Sequence, residues 1–314
     1  MAGQSYSIIG TGALGGYYGA RLAHAGRTVR FLVNRDYEHV RRHGLRVDSI
    51  HGDFSLAEPE VYALPEGMPA SDVVVVGLKT TRNSLLPTLL PPATSRDALV
   101  LSMQNGLGIE ADVAKAVPGR TIIGGLAFLC SNKVGAGHVK HLDYGDVRLA
   151  EYRADGQPAG ITPAVRAVAE DFRAAGVGVA LEADLDTARW KKLVWNVPYN
   201  GLCVVRNVTT DVVMADPKTR ERVEHIMLEV LAIAAARGHP IPTDFVRTML
   251  DFTAKMAPYD PSMKLDYEGG RPLEIEALYA RPLRAARDAG VSCPLTLELY
   301  EQLLQLDPAV RGSV

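Results

Sequence analysis

Short apolar stretches and helix-like stretches alternate along the first half of the chain. The strand-like apolar runs cover residues 5–9, 28–33, 72–78, 98–102 and 121–125. Near-continuous apolar runs of this kind are typical of parallel strands that are buried on both faces. Helix-like stretches lie between them at residues 14–25, 83–90 and 108–117, and a short polar helix begins at Asp36. The alternation predicts a doubly wound α/β sheet with helices on both sides.

Two stretches depart from this alternation. Residues 45–56 and 138–150 alternate polar and apolar side chains around glycine-containing turns. This period of two predicts strands, and we interpret both stretches as antiparallel additions to the main sheet.

The second half of the chain has a helical pattern. After a helix at residues 162–175 and a strand at 177–181, helical periodicity continues at 223–236, 245–254, 275–289 and 295–306. We therefore expect two domains, an α/β domain over residues 1–183 and an all-α domain over residues 184–314.

Composition narrows the class of protein. Of the 314 residues, 47% are hydrophobic and 22% are charged, and the net charge is −2, which argues against nucleic acid or a membrane surface as a partner. Cys130, Cys203 and Cys293 are too few and too widely spaced for a disulfide framework, and they lack His companions at the spacing of a metal site. No apolar run approaches a membrane span, and the first strand leaves no room for a signal peptide. We expect a cytoplasmic protein without a metal.

A glycine-rich turn follows the first strand directly. It fits the spacing G-x-G-x-x-G with Gly10, Thr11, Gly12, Ala13, Leu14 and Gly15. In such a turn the first glycine permits the tight bend, the second lets the backbone approach a pyrophosphate, and the third lets the helix pack against the strand. The helix N-terminus then faces the phosphate charge. We predict that these six residues bind a dinucleotide, which makes residues 1–183 a Rossmann-type domain.

The end of the second strand indicates which nicotinamide cofactor is used. NAD-selective sites usually carry an acidic residue there, but this chain has Asn34 and Arg35. A guanidinium at this position can pair with the 2′-phosphate of NADP(H), although Arg35 could also be a solvated surface charge. Asp36 follows, and we interpret it as the N-cap of the next helix. The sequence therefore predicts NADP(H), with Arg35 as a ligand.

The most informative helical segment covers residues 190–205. Between Leu193 and Val205 its only strongly polar side chains are Asn196 and Asn200. With Lys192 they are spaced i, i+4 and i+8, so they form one stripe on a helix that is apolar elsewhere. A lysine and two asparagines on such a stripe are unfavourable to bury unless they meet partners, which a bound substrate can supply. The alternative is a solvated face, which suits Lys191 better than Lys192.

At this segment the chain resembles the ketopantoate reductase (2-dehydropantoate 2-reductase) family, and the resemblance covers essentially its whole length. The family pattern of Trp-x-Lys followed by Asn four and eight residues later is matched by Trp190, Lys192, Asn196 and Asn200. The other matches, in chain order, are the glycine loop, Lys79 after Leu78, Asn105-Gly106, Ser262-Met263 and Glu274. Each motif is short, but together they occur in order and in register.

The resemblance implies a role for each matched residue. Lys192 is implied as the general acid, and Glu274 as the residue that organises the site near the lysine and the nicotinamide ribose. Asn105 is implied to touch the nicotinamide and the substrate, and Lys79 to lie close to the cofactor. The 2-oxo acid is then held by Asn105, Lys192, Asn196, Asn200 and Ser262. The implied activity is the reduction of 2-dehydropantoate by NADPH, with the helical domain binding the substrate and carrying any homodimer interface.

Simpler explanations exist for three of these residues. Glu274 follows Pro272 and could be an acidic residue that is favourable at a helix N-terminus. Ser262 could be a helix cap after Pro261, and Asn105 with Gly106 could be a common turn.

Two positions depart from the family pattern and leave the substrate open. Thr210 stands where well-studied members carry a further substrate-binding Asn, and Tyr279-Ala280 replaces an Asn-Gly after the glutamate. Tyr279 lies five residues after Glu274, about 140° around a regular helix, so it either lines the cleft or packs in the core. One alternative is therefore a related reductase that acts on another 2-oxo acid. A second alternative, from another class, is a non-enzymatic regulator that senses NADP(H).

Overall fold

The computed structural model describes residues 4–311, which divide into two units. The first unit runs as far as Gln104 and resumes at Ile109–Leu185, and the second consists of Asn105–Gly108 and the residues from Asp186 onward. A single boundary after residue 183 does not describe this division, because the short segment Asn105–Gly108 belongs to the helical unit.

The first unit is built on a ten-stranded sheet. Its strands are β1 (Tyr6–Ile9), β2 (Val29–Leu32), β3 (Leu45–Ser49), β4 (Phe54–Leu56), β5 (Glu60–Tyr62), β6 (Ser71–Val76), β7 (Thr94–Ser102), β8 (Thr121–Gly135), β9 (His138–Glu151) and β10 (Val179–Leu181). The spatial order is β4-β3-β9-β8-β7-β6-β1-β2-β5, and β10 pairs with β9. The parallel strands β5, β2, β1, β6, β7 and β8 form a doubly wound arrangement, with the switch point at β1 and β6.

Helices cover this sheet where the sequence alternates. They are α1 (Ala13–His24), α2 (Tyr37–His43), α3 (Leu86–Ala93), α4 (Ile109–Ala116) and α5 (Pro163–Ala174). Two 3₁₀ turns occur at Pro65–Gly67 and Thr80–Leu85. The Val run in β6 is fully buried because helices cover both faces of a parallel sheet, so side chains on either face lie in a core.

The added strands pair differently from the prediction. β3 and β4 form an antiparallel hairpin, and β9 is antiparallel to β8, as expected. β3, however, joins β9 in parallel register. The alternating pattern identifies a strand that has one polar face, but it does not determine the direction of the neighbouring strand.

The second unit is helical. Its helices are α6 (Leu185–Arg206), α7 (Thr210–Ala215), α8 (Pro217–Ala236), α9 (Asp244–Ala254), α10 (Ser262–Glu268), α11 (Arg281–Asp288), α12 (Pro294–Leu306) and α13 (Pro308–Arg311), and a π-helical segment covers Glu276–Ala280. The predicted fold class, a Rossmann-type α/β sheet followed by an all-α part, is confirmed.

The long helix α6 lies at the centre of the second unit. Val194, Val197, Tyr199 and Cys203 are all fully buried, so the helix is covered nearly all round, as its composition predicts. Within residues 4–311 no helix combines the length and the apolar character that crossing a membrane requires.

Candidate active site

The glycine loop after β1 has the geometry that each of its glycines makes possible. Gly10 adopts φ +103°, and a Cβ there would lie 2.7 Å from the Leu78 backbone nitrogen. A Cβ on Gly15 would lie 2.2 Å from the Gly10 carbonyl oxygen, so only glycine lets α1 pack this close to the turn. Thr11 fastens the loop to the end of β2 by donating its hydroxyl to the Leu32 carbonyl at 3.0 Å.

The same loop leaves room for a ligand at one position. Gly12 is the N-cap of α1, whose first turn starts at Ala13 and Leu14, and a Cβ on Gly12 would meet no atom within 4 Å. The first turn of α1 contains no acidic residue. Open space in front of a helix N-terminus fits a pyrophosphate, since free backbone N–H groups and the helix dipole both favour an anion.

Exposed polar and charged residues follow the end of β2. Asn34 and Arg35 are exposed, and Arg35 makes no ion pair with any residue between 4 and 311. Lys79, after β6, is also exposed. Both cations remain candidates for contact with a cofactor phosphate.

Asp36 is the N-cap residue of α2 by position, as predicted, but its side chain has a different role. That side chain caps no helical N–H. Its carboxylate instead pairs with the Lys133 ammonium and accepts the Gly137 N–H at 3.1 Å. Burial opposes the charged form, but these two contacts outweigh it and lower the pKa of the Asp36 carboxyl. The Asp36 carboxylate therefore binds groups of the protein itself, which argues against Asp36 as a ligand of the cofactor ribose.

The predicted polar stripe lies on α6. Asn196 and Asn200 are 6% and 3% exposed, and Lys192 is partly buried one turn before them. Asn200 donates to the Asn196 carbonyl at 3.1 Å and accepts the Met263 N–H at 3.2 Å. The Asn196 carboxamide makes no hydrogen bond within the described part of the chain. Asn200 thus fixes α6 against α10, whereas Asn196 keeps its donor and acceptor for another partner.

Lys192 is the titratable residue of this stripe, and the pKa of its side chain is strongly lowered. Burial, reinforced by the charge of Arg189, lowers the pKa of its ammonium to about 7, and the charge of Glu274 acts in the opposite direction. A group with a pKa near neutrality can both hold and release a proton under ordinary conditions, which is the property of a general acid.

Arg189 is a functional candidate that the sequence analysis missed. It lies three residues before Lys192 on the same face of α6, and it is 2% exposed. The sequence contains a signal for Arg189, because the polar stripe of α6 continues to this position at the i−3 spacing of a helix. An arginine just before the apolar core of a helix is usually a surface residue, so the sequence alone does not distinguish Arg189.

Ser262 lies at the end of the stripe near Asn200. It is the first residue of α10, and Pro261 holds the N-cap position, so the interpretation of Ser262 as a helix cap is wrong. The adjacent Met263 N–H is the group that Asn200 holds. The Ser262 hydroxyl has no hydrogen-bond partner in the described region, so it is available for a ligand.

Glu274 precedes the π-helical segment and is only 2% exposed. The charge of its carboxylate raises the pKa of Lys192, so the two residues that we predicted as catalytic interact electrostatically. Burial of an ordinary helix-terminal carboxylate would be unfavourable without such a partner.

Tyr279 packs in the core. It is fully buried, and its hydroxyl donates to the Val197 carbonyl at 2.8 Å. The helix around it is π-helical, so the 140° separation from Glu274 that holds for a regular α-helix does not apply. Thr210, the other departure from the family pattern, is 1% exposed and begins α7, where its N–H donates to the Tyr259 carbonyl at 3.0 Å.

Asn105 belongs to the same unit as Lys192 and Glu274. It is partly buried, and its side chain has no hydrogen-bond partner among residues 4–311. The next two residues are attached to the π-helical segment, where the Leu107 N–H donates to the Ala277 carbonyl at 3.0 Å. The second unit therefore contains every residue that we predicted to bind the substrate.

Known proteins resemble this chain along its whole length. The family described as ketopantoate reductase PanE/ApbA matches residues 6–154, and its C-terminal part matches residues 184–307. A 2-dehydropantoate 2-reductase from Nostoc sp. PCC 7120 is 53% identical over 307 residues, which cover 98% of this chain and 96% of that protein. The crystal structure of 2-dehydropantoate 2-reductase from Geobacter metallireducens GS-15 is 42% identical, with a TM-score of 0.92 and coverage of 96% of this chain and 99% of that one.

A more distant structure shares the fold alone. D-mandelate dehydrogenase in its ternary structure with NADH and anilino(oxo)acetate is 21% identical, with a TM-score of 0.88 over 98% of this chain and 99% of that one.

Proposed function

Because this chain belongs to the ketopantoate reductase PanE/ApbA family, we propose that it reduces 2-dehydropantoate to pantoate with NADPH, and that Lys192 is the general acid. The observation that carries the proposal is the Lys192 ammonium, whose pKa burial lowers to about 7 and on which the buried Glu274 carboxylate acts. A regulator that only senses a nucleotide has no use for such a group.

Hydride reduction of a ketone builds negative charge on the carbonyl oxygen. Bound NADPH would supply the hydride to the carbonyl carbon. The Lys192 ammonium stabilises the charge on the oxygen and then donates its proton there. Glu274 favours the charged form of Lys192 and so opposes the effects of burial and of Arg189.

Neutral donors suit the rest of the substrate. The Asn196 carboxamide and the Ser262 hydroxyl are both available for a ligand. They would hold the carboxylate and the other oxygen atoms of the 2-oxo acid. Asn200 supports them by tying α6 to the start of α10 through Met263. Asn105 would face the nicotinamide and the substrate from its loop. Such an arrangement orients the substrate through neutral hydrogen bonds.

The cofactor would be held by the first unit. The open position at Gly12 would receive the pyrophosphate, and Thr11 would keep the loop attached to β2. NADPH is favoured over NADH because the end of β2 offers the exposed Arg35, while the Asp36 carboxylate is engaged by Lys133 and Gly137. Lys79 would supply a second positive charge near the cofactor.

Replacing Arg35 tests this choice of cofactor. Arg35→Ala should weaken NADPH binding by roughly tenfold and leave NADH binding nearly unchanged, because only NADPH carries the 2′-phosphate. Dissociation constants for both nucleotides, measured by fluorescence titration, check the prediction. Equal affinity of the unmodified protein for the two nucleotides would contradict it.

Acidity gives a second test. If protonated Lys192 is the acid, kcat/KM for reduction should be constant at low pH and should fall about tenfold per pH unit above about 7, the pKa of Lys192 in the free protein. Arg189→Met removes a charge that lowers this pKa, so the fall should move to higher pH. Glu274→Gln removes a charge that raises it, so the fall should move to lower pH. Profiles that do not move in opposite directions would count against the assignment.

The substrate is tested by a panel of 2-oxo acids. Thr210 favours a second candidate, a reductase for a different 2-oxo acid, because a threonine offers a shorter donor than the family's asparagine. Tyr279 no longer supports that candidate, since it is buried and bonded to Val197. We expect the largest kcat/KM for 2-dehydropantoate when NADPH oxidation is followed at 340 nm. A clear preference for another 2-oxo acid would favour the alternative reductase. If no 2-oxo acid were reduced, the hypothesis of a non-enzymatic regulator that senses NADP(H) would be favoured instead.

The cytoplasmic location is also a proposal of ours. The three cysteines, Cys130, Cys203 and Cys293, are buried and form no disulfide bond among the described residues, which fits a reducing compartment.

A further inference from the structure

The π-helical segment after Glu274 leaves one backbone carbonyl without a helical donor. The Arg281 N–H donates to the Glu276 carbonyl, one residue further back than in an α-helix. The donor that would then serve the Ala277 carbonyl is residue 282, which is a proline and has no N–H. The Ala277 carbonyl instead accepts the Leu107 N–H at 3.0 Å. The sequence around Pro282 thus creates an attachment point for the loop Asn105–Gly108.

Arg281 completes this attachment. Its Nη1 donates to the Leu107 carbonyl at 3.0 Å, so Ala277 and Arg281 together bind both backbone polar groups of Leu107. The guanidinium is held in place by Glu276, whose carboxylate lies 3.4 Å from the Arg281 Nε. The Leu107 side chain also packs against the hydrophobic core of the second unit.

The fit between the loop and the helix is close. Gly106 has φ +109°, and a Cβ there would lie only 2.5 Å from the Ala277 Cβ. Gly108 also has a positive φ, +69°. A loop with two glycines in such conformations has many alternative conformations in solution, so it needs external contacts to hold one of them.

We propose that Arg281 is a positioning residue that fixes the Asn105 carboxamide for the reaction. The inference rests on the proposed function of Asn105, which directly precedes the residues that are held. Arg281 itself touches the loop backbone and acts through Asn105. When the Arg281–Leu107 bond is lost, Asn105 should spend less time in its productive orientation, and misplacement of this kind lowers turnover.

The chain contains a matched control. Arg284 also pairs with Glu276, at 3.4 Å for its Nη1, but among the described residues its side chain hydrogen-bonds to that carboxylate alone. Arg281→Leu should lower kcat for 2-dehydropantoate by about tenfold and leave the Kd of NADPH within about twofold. Arg284→Leu removes a comparable ion pair and should leave both values unchanged. Thermal unfolding of each variant identifies any general loss of structure.

A double-mutant cycle separates positioning from a merely structural role. In the Asn105→Ala background, Arg281→Leu should have little further effect on kcat, because the group that it positions is gone. Effects that simply multiply would overturn the proposal, as would an unchanged kcat in Arg281→Leu. If Asn105→Ala itself retained full activity, the proposed function of Asn105 would be wrong instead. Should Arg281→Leu fail to fold, Ala277→Val tests the same point, because the larger valine side chain would push Gly106 and its loop away from the helix.

Discussion

Lys192→Ala is expected to lower kcat for 2-dehydropantoate reduction by at least about 100-fold, the usual scale for loss of a general acid. The Kd of NADPH should stay nearly unchanged, because Lys192 lies on α6 of the helical unit and the glycine loop that would bind the pyrophosphate belongs to the other unit. Stopped-flow or steady-state oxidation of NADPH gives kcat, and fluorescence titration gives the Kd. A fall in kcat and kcat/KM together indicates an interaction made in the transition state.

Lys191→Ala is the internal control for this experiment. Lys191 has the same side chain one residue earlier, but it points about 100° away around the helix. It should keep activity close to that of the unmodified protein. Equal losses for the two lysines would mean that α6 needs its positive charge in general, and the role of Lys192 as the proton donor would then be lost.

Gly12→Ala is expected to weaken NADPH binding by roughly 10-fold to 100-fold, the equivalent of one or two charge-assisted hydrogen bonds. Gly12 has φ −90°, which any residue can adopt, and a Cβ there meets nothing within 4 Å, so folding should be unaffected. The added methyl group would occupy the space through which the pyrophosphate approaches the backbone. Isothermal titration with NADPH and a thermal unfolding curve on one sample measure both properties.

Gly67→Ala provides the matched comparison. Gly67 lies in the same unit, and a Cβ there also meets nothing within 4 Å. This variant should bind NADPH as the unmodified protein does. Normal NADPH affinity in Gly12→Ala would show that the open position in the glycine loop is not where a dinucleotide binds.

The parts of the fold that depend on burial could be predicted from the sequence. Residues 72–78 read as a strand because a parallel strand with two covered faces needs apolar side chains throughout, and Val73–Val76 are indeed fully buried. The glycine loop could be located for a similar reason, since Gly15 packs against Gly10 so closely that no other residue fits. The stripe on α6 was visible because its polar residues contrast with an apolar helix.

The parts that depend on a choice of partner could not be predicted. The parallel pairing of β3 with β9 is decided by backbone direction, which side-chain alternation does not encode. Asp36 occupies the predicted N-cap position, but its ion pair with Lys133 could not be predicted, because Lys133 lies far away in the sequence. The π-helical segment after Glu274 was equally hidden, because a regular period of 3.6 residues was assumed for residues 275–289.

The fate of the transferred hydride tests the proposed activity most directly. The purified protein is incubated with 2-dehydropantoate and NADPH that carries deuterium at both C4 positions of the nicotinamide ring, and the product is analysed by mass spectrometry and NMR. Direct transfer of hydride from NADPH predicts pantoate that contains one deuterium, bonded to C2, and formed in proportion to the NADPH consumed. Pantoate without deuterium, or consumption of NADPH without pantoate, would contradict it.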